Sequence, residues 1–134
     1  MPLTQDRDTP ERAGDLYEYP VAATALIYAG AIVVLDAAGN AEPGATALNK
    51  TAVGRAEERA DNAVGAAADI NVKVKPGVFK FKNDVTHTID KTHVGGTAYI
   101  VDDETVASTD GTGTRSAAGV IKQVETDGVW VKLG

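Results

Sequence analysis

The clearest alternation of apolar and polar positions is Ile70-Asn71-Val72-Lys73-Val74-Lys75, in which three aliphatic residues share one face and Asn71, Lys73 and Lys75 the other. Pro76-Gly77 breaks the run, and Val78-Phe79-Lys80-Phe81-Lys82 resumes it with both phenylalanines on one side. This spacing predicts a β-hairpin over residues 70–82. It would bring Lys73, Lys75, Lys80 and Lys82 to one side of both strands, either as a solvated sheet face or as a patch that docks on an acidic partner. A second hairpin is predicted at Ala117–Leu133, where two stretches rich in branched residues flank Asp127-Gly128, a dipeptide suited to the positive φ angles of a tight turn. Phe79, Phe81, Tyr99, Val120 and Trp130 fall on the apolar sides of the best-defined strands and are the predicted core.

The rest of the chain is also written in short strands. Leu16-Tyr17-Glu18-Tyr19 runs into Pro20, which marks a strand start or an edge, because proline cannot donate to a central ladder. Ile27-Tyr28 and Ala31–Leu35 follow, ended by the turn cluster Asp36–Asn40, with Glu42-Pro43-Gly44 as a further breaker. Thr51–Ala60 contains the helix-prone run Ala56–Ala60, but Gly54, Asn62 and Gly65 crowd it, and strand is the better reading. A single helical turn is expected within Thr88–Val94, capped by Thr86 or Thr88 and closed by Gly95-Gly96. Thr97–Val101 and Thr105–Ala107 read as strands around the acidic turn Asp102-Asp103-Glu104. The fold class is therefore all-β: a small β-barrel or β-sandwich-like domain over residues 16–134, with at most one short helix. Residues 1–15 are polar, contain Pro2 and Pro10, show no periodicity, and read as an extended N-terminal arm that orders on a neighbouring subunit. Leu3, Arg7, Arg12, Tyr17 and Tyr19 are the candidate partner-binding residues, the two arginines as donors of charge-assisted hydrogen bonds.

Composition changes this picture in two ways. The 134 residues are enough for a core, but only 5% are aromatic and the apolar positions are mostly Ala and Val. At roughly 25 cal/mol per Å² of buried apolar area, such a core is thin, and a partner surface would add useful stability. With 13 Lys+Arg against 19 Asp+Glu the net charge is −6, and no basic cluster appears, which argues against nucleic acid as a partner. The longest apolar stretch, Val21–Leu35, is shorter than the roughly 20 residues of a membrane helix and is interrupted by Thr24, Tyr28 and Gly30, so no membrane partner is expected. The N-terminus lacks the apolar segment of a signal peptide.

Candidate chemistry is sparse. The chain has no cysteine, which excludes a disulfide scaffold and a thiolate site. Its serines, Ser108 and Ser116, sit in no Gly-x-Ser-x-Gly elbow. His87 and His93 are six apart, wrong for two imidazoles on one helical face. Asp102-Asp103-Glu104 with Asp110 does not follow the alternating ligand spacing of a calcium loop and reads as a charged turn. Gly95-Gly96 and Gly111-Thr112-Gly113 lack the lysine and helix of a phosphate cradle. No catalytic residue, metal or cofactor is expected, and the protein is expected not to be an enzyme.

The order Val72–Phe79, Ala98–Val106, Ala118–Ile121 and Gly128–Val131 resembles the small head-decoration proteins of tailed bacteriophages, also called cement or minor capsid proteins, and the Mu-like prophage branch in particular. The resemblance spans residues 15–133 and consists of strand and turn patterns. It implies a compact β fold and homotrimers bound to the outer surface of the shell built by the major capsid protein. It also implies a location on the virion after assembly in the bacterial cytoplasm. The alternatives left open are a free-standing receptor- or carbohydrate-binding β module and a head-tail joining protein of the same phages.

Overall fold

The computed structural model describes Thr4, Gln5, Arg7 and residues 16–134. The arm expected over residues 1–15, with Leu3 and Arg12, therefore lies almost wholly outside the described residues. Among the described residues twelve strands follow one another: β1 (Tyr17–Pro20), β2 (Leu26–Ile27), β3 (Ile32–Leu35), β4 (Ala41–Pro43), β5 (Thr51–Ala56), β6 (Ala60–Asp61), β7 (Asn71–Lys75), β8 (Gly77–Asn83), β9 (Thr97–Ile100), β10 (Thr105–Ala107), β11 (Ala117–Glu125) and β12 (Gly128–Leu133). A five-stranded antiparallel sheet has the order β1-β7-β5-β3-β4, and a closed five-stranded barrel has the order β10-β8-β12-β11-β9. β2 and β6 form a separate small pair. The fold is all-β with a small barrel, as the pattern of short strands predicts.

β3 is the strand that joins the two halves. Ile32 and Val34 belong to the barrel core with Phe81, Ile100, Ile121, Val131 and Leu133, whereas Ala31 and Val33 belong to a second core with Val21, Ile27, Val72 and Val74. A strand buried on both faces needs a continuous apolar run instead of alternation, which is why Ala31–Leu35 carries no polar residue. The halves are also tied by polar contacts. Ile32 N–H donates to Asp103 O at 2.9 Å, Lys50 N–H donates to the Ser116 hydroxyl at 3.1 Å, and that hydroxyl donates to Ala47 O at 2.7 Å. Ser116 is buried and is spent on this tie. The Ala-rich stretch after β6 is held by buried Asn62, whose amide donates to Ala22 O and Ala66 O at 3.0 and 2.9 Å.

Several expectations are corrected. Residues 70–82 are not a hairpin: β7 pairs with β1 and β5, while β8 pairs with β12 and β10. Pro76 offers no N–H, and Gly77 takes φ 156°, so the backbone runs on nearly extended from sheet to barrel instead of turning back. The four lysines are accordingly divided. Lys73 and Lys75 lie on the sheet, while Lys80 and Lys82 lie outside the barrel, where they pair with Asp127 at 2.9 Å and Glu104 at 2.6 Å.

Of the predicted core, Phe81 is buried and Phe79 packs partly buried against it, under the Arg55 guanidinium at 4.2 Å. Val120 is 40% exposed and is not a core residue. Tyr99 and Trp130 are half-buried on the outer face, because Ala98 and Ile100 in β9, and Val129, Val131 and Leu133 in β12, take the inward positions. The C-terminal hairpin forms, but its turn residues are Thr126 and Asp127, none of residues 126–128 has positive φ, and Gly128 already pairs with Glu125. Gly128 is required by close approach: a Cβ there would lie 2.7 Å from Lys80 Cγ and 2.9 Å from Phe81 O. The expected helical turn is a 3₁₀ turn at Lys91–His93, capped by Asp90 instead of a threonine, with Asp90 N–H donating to His93 Nδ1 at 2.9 Å. Glu42-Pro43-Gly44, expected as a breaker, instead gives its first two residues to the short strand β4.

Candidate functional site

The two edges of the sheet differ. Along β4, Val21 bridges in parallel to Ala41, Ala22 N–H donates to Ala41 O at 2.8 Å, and Pro43 withholds a donor, so that edge is closed to further pairing. Its Glu42 is held by Lys50 at 2.6 Å, a contact that raises the lysine pKa. Along β1, by contrast, β4 reaches only the C-terminal end through that bridge, and no strand lies outside Tyr17–Tyr19 among the described residues. Tyr17, Glu18, Tyr19 and Pro20 stand opposite Val74, Lys73, Val72 and Asn71. Val21 N–H donates to Ile70 O at 2.9 Å, which fixes the parity of this ladder. The main-chain groups of Tyr17 and Tyr19 therefore turn toward β7, the N–H and C=O of Glu18 turn outward, and the C=O of Pro20 turns outward into the bridge to Ala41. The missing donor of Pro20 falls on the outward side, where it breaks no bond in the sheet.

Cavities flank this edge on both faces. One of about 540 Å³ is lined by Tyr17, Tyr19, Ala52, Val53, Pro76 and Gly77, and by the end of β12 with Lys132. Another of about 360 Å³ is lined by Leu16, Tyr17, Glu18 and Lys73. They exist on both sides because side chains alternate across a strand: the tyrosines share a face with Val72 and Val74, and Glu18 shares the other with Lys73.

A third cavity, of about 380 Å³, lies between Tyr28, Gly30, Asp103 and Glu104. Burial, followed by the charges of Asp102 and Glu104, pushes the Asp103 carboxyl above its usual range. A carboxyl whose folded pKa is raised is favoured below its unfolded pKa and penalised as pH rises through the folded value. Asp103→Asn is therefore expected to stabilise the fold slightly at pH 7, by no more than about 0.5 kcal/mol for a group only partly buried, and not at pH 3. Urea midpoints at the two pH values check this, and an equal shift at both would contradict it.

The remaining candidates are scattered. His93 serves the Asp90 cap, and His87 lies 3.8 Å from Asp84 Oδ2 and 3.5 Å from the Arg115 guanidinium, so the two imidazoles do not converge. Among the described residues no group of three or more His, Asp or Glu side chains is arranged to hold a metal ion. No helix among them is long and apolar enough to cross a membrane.

Of the predicted partner-binding residues, Tyr17 and Tyr19 are brought together on one edge and one groove. Arg7 is exposed. Leu3 and Arg12 lie outside the described residues. The sequence reading missed Val53, Pro76 and Lys132 as groove residues, because the chain joins them from β5, the sheet-to-barrel crossing and β12. The one available signal was Pro20, which marked the edge. No protein-family model, curated protein or solved structure matches this chain.

Proposed function

We propose that this chain is a structural virion protein that decorates and stabilises a bacteriophage head, binding as trimers to the outer surface of the shell formed by the major capsid protein. The observation that supports this reading is the outward-facing Glu18 stretch of β1 with cavities beside its tyrosines and Glu18, a surface suited to contact with another protein. The four segments that carry the resemblance to head-decoration proteins fall on β7 and β8, β9 and β10, β11, and β12. A core built mostly of Val, Ile and Ala suits a protomer that gains stability from assembly, since a partner that binds only the folded form shifts the folding equilibrium toward it. On this reading the protein is not an enzyme, uses no metal or cofactor, and resides on the virion after assembly in the host cytoplasm.

A second reading, a receptor- or carbohydrate-binding module, is favoured by Trp130. Its ring faces outward, with its indole N–H donating to Glu125 and Lys80 Nζ 5.9 Å from the ring centre. Such an apolar plate ringed by donors and acceptors suits a sugar.

Purified protein added to phage shells lacking decoration separates the readings. The capsid reading expects occupancy approaching the copy number of the shell protein and a higher temperature of shell disruption. Absence of binding would sink it. Occupancy limited to a single ring at one vertex would point instead to a head-tail joining protein, and glycan binding lost in Trp130→Ala would favour the module.

A further inference from the structure

We propose that the outer edge of β1 is a strand-acceptor site for an extended segment of a partner protein whose side chains alternate apolar, basic, apolar. Glu18 turns its N–H and C=O outward, ahead of the point where β4 bridges the end of β1, so an added strand finds main-chain partners already aligned there. The cavity beside Glu18 suits one side chain of such a strand. The residue opposite Glu18 would enter the cavity of about 360 Å³ lined by Leu16, Tyr17, Glu18 and Lys73.

The chemistry of the occupant follows from the strand that already pairs with β1 on its inner side. β7 sets Val72, Lys73 and Val74 against Tyr19, Glu18 and Tyr17. The same edge residues face outward with the same alternation, and Glu18 is exposed. A basic residue opposite it gains a favourable cross-strand pair, and an acidic one loses it. A second copy of this chain fits poorly. Two β1 edges related by a two-fold axis through their centre would set Glu18 against Glu18, and the β4 edge offers another acidic residue, Glu42. The occupant is thus a different protein. A strand acceptor at β1 stands whether or not that protein belongs to a phage shell.

The test uses the full chain and two synthetic peptides, Ile-Asn-Val-Lys-Val-Lys, which repeats residues 70–75, and Ile-Asn-Val-Glu-Val-Glu. In an amide NMR titration the basic peptide is expected to bind, with shifts concentrated on Tyr17, Glu18 and Tyr19. The acidic peptide is expected to bind at least about tenfold more weakly. Glu18→Lys is expected to reverse that preference. Glu18→Pro removes the outward N–H while leaving the bonds to β7, and is expected to abolish binding in a protein whose spectrum remains folded. Glu18→Lys keeps the test decisive should the proline variant fail to fold. Failure of the basic peptide to bind, shifts mapping elsewhere, or equal preference in Glu18→Lys would overturn the proposal. Peptide binding without decoration of phage shells would leave the acceptor and remove the capsid reading, and decoration without peptide binding would do the reverse.

Discussion

Phe81→Ala is expected to destabilise the protein by about 3 to 5 kcal/mol, while Val120→Ala, two strands away in the same barrel, is expected to change stability by less than about 0.5 kcal/mol. Phe81 is 6% exposed and sits in the barrel core with Val129, Val131 and Ile100. It is the one buried aromatic residue among the described residues, and the small Val, Ala and Ile side chains around it could not collapse far enough to fill the space it leaves. A loss of that size would consume much of the total stability of a domain this small, roughly 5 to 15 kcal/mol. Val120 is 40% exposed on the outer face, opposite Lys132 and Thr97, and its truncation opens no cavity. Urea midpoints of the two variants check the pair. Equal midpoints would mean that Phe81 does not face the barrel interior.

The difference between these two residues shows what alternation can and cannot reveal. β8 alternates without interruption, so the sequence alone identifies Phe79 and Phe81 as inward and Lys80 and Lys82 as outward. β11 has the same apparent rhythm, but register shifts fall between Ala117 and Gly119 and again between Ile121 and Gln123. Each irregularity changes which side the following residues face. The buried positions become Ala118 and Ile121, three apart, and Val120 is left outside. Trp130 was misjudged for another reason. It was assigned to the apolar side of its strand, yet the parity of β12 is set by Val129, Val131 and Leu133, and the tryptophan falls between them.

Strand existence was legible, and strand partnership was not. β7 and β8 are separated by one proline and look like the arms of a hairpin, but neither pairs with the other: β7 pairs with β1 and β5, and β8 with β12 and β10. Local turn chemistry governs adjacent pairing only when the linker reverses the chain, and Pro76-Gly77 does not. The groove beside Tyr17 and Tyr19 depends on that same crossing, since Pro76 and Gly77 line it together with Lys132. Pro20 was therefore the sole local clue to the edge, and the cavities around it arise from contacts that no window of the sequence contains.

Gly119→Ala is expected to be the most damaging single methyl in the barrel, with a loss above about 4 kcal/mol or failure to fold. Gly119 has no positive φ, so its backbone would accept alanine without strain; the obstacle is space. A Cβ there would lie 1.8 Å from Lys132 O and 2.9 Å from Lys132 C, both backbone atoms of the paired strand β12, which cannot swing aside as a flexible side chain would. Relief requires β11 and β12 to separate at the Gly119 and Leu133 pair, beside the register shift that already bends β11. Leu133 and Val131 would then leave the core they share with Ile32 and Val34 of the sheet, so the damage would reach both halves of the molecule. Gly113→Ala is the control. Nothing lies within 4 Å of its Cβ position, and its φ of 77° leaves only left-handed strain, about 1 to 2 kcal/mol. Thermal unfolding of the two variants followed by circular dichroism checks the contrast, and a Gly119→Ala protein as stable as the Gly113→Ala control would show that β11 and β12 do not approach as closely as this pairing requires.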